Sequence, residues 1–96
     1  MGWLVESTVG AHLVNSVTDS ATEVTYWRER DHEVDFVVRS GAALVAIEVR
    51  SGRRSVEPAG LARFGRAFPE ARTLIVGSGG IALAEFLSVA TESWVR

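Results

Sequence analysis

The sequence predicts an α/β fold in which a mixed four-stranded sheet lies between helices, in the order helix, three strands, helix, strand. Three observations carry this. Apolar residues recur at a three-and-four spacing near the start, and two alternating runs, residues 33–39 and 43–50, are separated by a short turn. A helical segment then separates the third strand from a short, uniformly apolar fourth.

The first helix is predicted over residues 3–17, with Leu4, Val5, Val9, Leu13, Val14 and Val17 as its apolar positions and Glu6 near its start. Residues 18–22 form a polar break. Residues 23–30 contain Val24, Tyr26 and Trp27, residue types suited to a first strand, and Asp31 and His32 supply the turn after it. In the second strand, residues 33–39, alternation places Val34, Phe36 and Val38 on one face and Asp35 and Val37 on the other. Ser40-Gly41-Ala42-Ala43 reads as a tight hairpin, which sets Asp35 directly opposite Glu48, with the two carboxylates on one face. Along the third strand, residues 43–50, Leu44, Ala46, Glu48 and Arg50 project together, with Val45, Ile47 and Val49 opposite.

Residues 51–55 form an Arg-rich loop, and Glu57-Pro58 opens a second helix whose buried side is Leu61, Phe64 and Phe68, with Pro69 ending it. Thr73 to Val76 reads as an interior strand covered on both faces. Gly77-Ser78-Gly79-Gly80 follows, then a short helix over residues 82–87 and a tail ending in Trp94-Val95. Reaching the fourth strand from the third through a helix makes that pair parallel.

Ninety-six residues, 47% of them hydrophobic, make a single domain spanning 1–96 with one core. No segment has the length of a membrane span or the layout of a signal peptide, and cysteine is absent, so the expectation is a cytoplasmic domain without disulfides or thiolate metal sites. The formal net charge of −2 gives no overall attraction for nucleic acid. Local clustering matters more: Arg53 and Arg54 lie together, and Arg63 and Arg66 share a helix face, a strip suited to DNA phosphates or to a solvated surface. All ten basic residues are arginine.

The order α-β-β-β-α-β is that of the restriction-endonuclease-like, or PD-(D/E)XK, core. The chain also resembles the C-terminal domain of unknown function carried by many prokaryotic AAA-type ATPases. The resemblance rests on Leu4-Val5-Glu6, Tyr26-Trp27-Arg28-Glu29-Arg30, Glu33-Val34-Asp35-Phe36-Val37 and Ala46-Ile47-Glu48-Val49-Arg50-Ser51-Gly52, in that order. It implies a catalytic set of Glu6, Asp35, Glu48 and Arg50, with Asp35 and Glu48 holding Mg²⁺ or Mn²⁺ and Glu6 acting on a metal-bound water. No organic cofactor is expected. Two carboxylates with water and phosphate are the usual company of Mg²⁺. Arg50 stands where the family usually has lysine, and a guanidinium stays charged, so it can orient a phosphate but not act as a base.

The resemblance further implies DNA as substrate and an AAA-type ATPase as partner. This chain carries no ATPase module of its own, so a partner encoded nearby is the expectation if it is a detached member. Two alternatives stand beside the nuclease: a catalytically degenerate fold that binds DNA or regulates an ATPase, and a protein-interaction domain forming a homodimer through a sheet edge or the Trp94 tail. His12 and His32 lack metal-ligand spacing and belong to the first helix and a turn. The glycine run lacks the Gly-Lys-Ser/Thr ending of a P-loop and reads as a turn.

Overall fold

The structure, a computed structural model, describes residues 2–18, 20–30, 32–50 and 59–95. Its elements are α1 (Gly2–Asn15), β1 (Thr22–Glu29), β2 (His32–Ser40), β3 (Ala43–Arg50), α2 (Ala59–Ala67), β4 (Arg72–Gly77), α3 (Leu83–Leu87) and α4 (Glu92–Val95). The strands form one sheet in the order β1-β2-β3-β4, with β1/β2 and β2/β3 antiparallel and β3/β4 parallel. This is the predicted mixed four-stranded sheet flanked by helices.

Two apolar clusters, one on each face of the sheet, hold the layers together. Val9 and Leu13, one turn apart on α1, join Val38, Val45, Ile47 and Val76 of the sheet with Phe86 and Val95 of the last two helices. On the other face Leu61 and Phe64 of α2 bury against Val34, Val37 and Ala46. Each fully buried side chain of this size contributes about 1.5–3 kcal/mol relative to exposure. Val14, counted among the apolar positions of α1, is 63% exposed, because the residue after Leu13 points well away from the buried stripe.

The hairpin between β2 and β3 closes on the pair Ser40↔Ala43, with Gly41 at φ 61° in the first position of the two-residue turn. A positive φ there and not at the next residue is the type II′ pattern, for which glycine is the natural residue. The register runs to Phe36↔Ile47 and ends there; the predicted Asp35/Glu48 pair lies just beyond the ladder, where the two meet through a side-chain hydrogen bond.

The β1/β2 register is less regular. Thr25 pairs with Val37 but Trp27 with Val34, so one residue of β1, Tyr26, faces two of β2, Asp35 and Phe36. This is a β-bulge, and the extra residue breaks strict alternation. The predicted faces of β2 are corrected accordingly: Val34 packs with Val37 on the α2 side, while Phe36 and Val38 pack on the α1 side. In β3, which has no bulge toward β2, alternation holds. Val45, Ile47 and Val49 belong to the α1 side, and Leu44 and Ala46 to the α2 side.

Four other expectations change. His32 opens β2 rather than standing in a turn. Phe68 lies beyond the end of α2 and is 38% exposed, resting against Phe64 at a 4.7 Å ring separation. β4 is an edge strand, not an interior one, yet Val76 and Leu74 pack into one cluster and Ile75 against the other, so its uniform hydrophobicity still reports cover on both faces. The tail, given no helix from sequence, contains α4, in which Trp94 stacks on Phe86 at 5.3 Å. The predicted Arg-rich loop, the Glu57-Pro58 helix start and Asp31 lie outside the described residues.

Candidate functional site

The site forms where the β2/β3 ladder gives way to side chains. Beyond Phe36↔Ile47, the amide of Asp35 donates to Glu48 Oε1 at 3.3 Å, and the amide of Val49 donates to Asp35 Oδ2 at 3.0 Å. A strand amide left without a ladder partner is costly inside a protein, and here each is met by the carboxylate of the facing strand. Each acid commits one oxygen in this way. The bulge supplies the third member, since it sets Asp35 into a cleft of about 220 Å³ lined also by Glu6 of α1, Tyr26, Arg28, Glu33 and Val34.

The electrostatics report a crowd of acids. Burial pushes the Glu48 carboxyl up to about 7 from its ordinary 4.5; the charge of Asp35 adds to this, and Glu6 and Glu33 add less, while the Asp35 amide pulls the other way. Asp35 is raised by burial first, partly offset by the Val49 amide, with Glu33 adding a further push. Glu6 is raised by partial burial, then by Asp35 and Glu33. Glu6 lies past the first turn of α1, which contains no acid, so pairing with the helix dipole does not account for it.

The structure thus joins Asp35 to Glu48 by these hydrogen bonds and places Glu6 in the cleft beside Asp35, a lining that does not include Glu48. Arg50 follows Glu48 on the same side of β3 and is buried, with 8% of its surface exposed. Arg63 and Arg66 lie on α2, in the layer opposite α1, and Arg63 Nε donates to Glu29 Oε1 at 3.0 Å. Arg53 and Arg54 lie outside the described residues.

Four cleft residues, Tyr26, Arg28, Glu33 and the core residue Val34, were not singled out as site residues from sequence. Glu33 shared the strand parity of Asp35 two residues earlier, a signal present in the chain. Arg28, 3.9 Å from Glu33, gave no such signal, and Tyr26 read from sequence as core or sheet-edge packing in preference to a base-stacking platform, because the bulge that places it opposite Asp35 leaves no mark in the sequence.

The remaining candidates have structural employment. His12 Nε2 donates to the Val89 carbonyl at 2.6 Å and its ring meets Phe86 edge-on. In the glycine run the amides of Gly77, Ser78 and Gly80 donate to the carbonyls of Ile81, Arg50 and Gly77, leaving none of the three for a phosphate. Among the described residues no three His, Asp or Glu side chains are grouped closely enough to enclose a metal ion. The second oxygens of Asp35 and Glu48 offer two hard donors, a set that suits Mg²⁺ or Mn²⁺ with water and phosphate completing the shell.

Residues 1–85 match the family described as "Domain of unknown function (DUF4143)". The chain belongs to this family. No curated protein and no solved structure shows a significant match. Among the described residues of this DUF4143 domain, no helix is long and apolar enough to cross a membrane.

Proposed function

We propose that this domain is a divalent-metal-dependent, nuclease-like module of PD-(D/E)XK type that acts on DNA phosphodiesters as an accessory to an AAA-type ATPase. The observation that carries the reading is the pair of hydrogen bonds at the point where β2 and β3 part, Asp35 amide to Glu48 carboxylate and Val49 amide to Asp35 carboxylate, with Glu6 beside Asp35 in the cleft. Two acids held this firmly, each with one oxygen in reserve, form a preorganised seat for a hard cation. Their raised pKa values support the same reading, since loss of solvent first, and repulsion between the acids second, is what a divalent charge would offset.

Bound there, Mg²⁺ or Mn²⁺ would supply charge neutralisation at the phosphate and a water of lowered pKa. Asp35 and Glu48 hold and orient. Glu6, whose carboxyl binds a proton more readily than an ordinary glutamate, accepts one from the attacking water. Arg50 adds the positive field of a guanidinium beside Glu48 rather than base chemistry.

Mn²⁺ titration followed by paramagnetic NMR broadening tests this. Broadening is expected to centre on Asp35, Glu48 and Glu6 and to vanish in Glu48→Ala, with cleavage of DNA lost in the same variant. The burial of Arg50 favours a second reading, because a guanidinium so covered has little surface to offer a phosphate. In that reading the fold is a catalytically degenerate binding or regulatory module, and Mn²⁺ leaves no localised broadening.

A further inference from the structure

We propose that Tyr26 is a base-stacking platform that makes this site select single-stranded over duplex nucleic acid, an inference that rests on the nuclease-like reading above. Tyr26 is 70% exposed, the most exposed of the large hydrophobic side chains among the described residues. Its neighbour Trp27 does the packing work of β1, meeting Phe64 edge-on at 5.3 Å on the α2 side. Alternation therefore turns Tyr26 to the α1 side, where it lines the same cleft as Glu6 and Asp35. The bulge fixes its position, since Tyr26 is the residue that faces Asp35 and Phe36 across β1/β2.

Duplex and single strand ask different things of such a surface. A duplex keeps its bases stacked inside and presents phosphates, so its capture depends on basic side chains. Here the net charge is −2, the cleft gathers Glu6, Glu33 and Asp35, and its cation, Arg28, stands 3.9 Å from Glu33. Phosphate attraction at this face is weak. Stacking needs no net charge, and an exposed ring at a sheet edge is available to any unpaired base. A strand laid along β1 with one base on Tyr26 brings its adjoining phosphate towards Asp35.

The test compares wild type, Tyr26→Ala and Tyr26→Trp in Ca²⁺ at fixed salt. The probes are a short fluorescein-labelled single strand carrying 2-aminopurine and the duplex of the same sequence. Wild type is expected to bind the single strand more tightly and to quench 2-aminopurine. Tyr26→Ala should lose roughly 5- to 150-fold of that affinity together with the quenching. Tyr26→Trp should keep both, and duplex affinity should barely move. Unchanged single-strand binding by Tyr26→Ala, or equal wild-type affinity for the two probes, overturns the proposal. Mn²⁺ broadening recorded in parallel separates the two ideas. If it persists at Asp35 and Glu48 in Tyr26→Ala, a lost affinity belongs to stacking. If wild type itself shows none, the nuclease reading falls alone, and the anisotropy series still decides the role of Tyr26.

Discussion

At the scale of the residue, Glu48 holds its proton more tightly in the folded chain than in the unfolded one. Its carboxyl sits at about 7 in the folded chain against an ordinary 4.5. Below pH 4.5 both states hold the proton and nothing is lost. As pH rises from 4.5 towards 7 the unfolded chain releases its proton first, so the native state binds more protons and stability falls. Asp35 and Glu6, also raised, act in the same direction. Urea denaturation at steps across this window is expected to show a falling midpoint in wild type and a flatter profile in Glu48→Gln. The amide oxygen of that variant can still accept from the Asp35 amide, but its side chain cannot ionise. A midpoint that climbs with pH would show that burial and acid crowding do not govern the site. Because proton and metal compete for Glu48, apparent Mn²⁺ affinity should increase as pH passes through about 7.

Elements meet most closely where side chains are missing. A Cβ built on Gly60 of α2 would lie 1.9 Å from the Glu33 carbonyl oxygen, a backbone atom that cannot swing aside, so this glycine sets how near α2 approaches β2. Gly65, further along the same helix, has no neighbour within 4 Å of such an atom. The two give opposite expectations for one chemical change. Gly60→Ala should destabilise by roughly 1–3 kcal/mol or more, as overpacking does. Gly65→Ala should stabilise by about 0.4–1 kcal/mol through a less flexible unfolded chain. Thermal melts of the two variants check both signs. The clash also concerns the site, because Glu33 belongs to the acid cleft and a displaced β2 would shift Asp35 with it.

For the molecule as a whole, the α1 layer is closed by a polar latch between α1 and the last turn of the chain. Thr91, fully buried, donates to the Leu13 carbonyl at 2.7 Å, and its hydroxyl also pairs with Ser16 Oγ at 2.7 Å. The amide of Thr91 donates back to Ser16 Oγ, and Glu92 Oε2 accepts from the Thr18 amide at 2.7 Å. Carbonyls in the last turn of a helix lack intrahelical partners, so Thr91 and, through Val89, His12 stitch the end of α1 to the chain terminus. Thr91→Val keeps the shape but leaves the Leu13 carbonyl buried without this donor, at an expected cost of about 1–3 kcal/mol. For a domain of this size each kcal/mol lowers the melting midpoint by roughly 4–8 °C. A midpoint within error of wild type would mean that packing by Phe86 and Val95 alone holds this layer.

Local chemistry determined much of this protein from sequence alone. The apolar periods placed α1, the three-strand meander, α2 and β4, because side-chain burial follows the 3.6 and 2.0 repeats of the backbone. Gly41 in a two-residue turn sufficed to set Asp35 against Glu48, since a hairpin register propagates rigidly from its turn. Tertiary structure decided the rest. The bulge at Asp35 and Phe36 arises from how β1 and β2 fit together, and it alone moves Asp35 into the cleft with Glu6 and Tyr26. The pairing of Arg63 with Glu29 follows from which face of the sheet α2 covers, a matter of chain path rather than of residue type. The helix at Glu92–Val95 is too short to announce itself by periodicity, and it is buried because α1 and the sheet offer it a surface. Composition and spacing encode what a segment does with its own neighbours; which acids share a cleft depends on contacts between residues far apart in the chain.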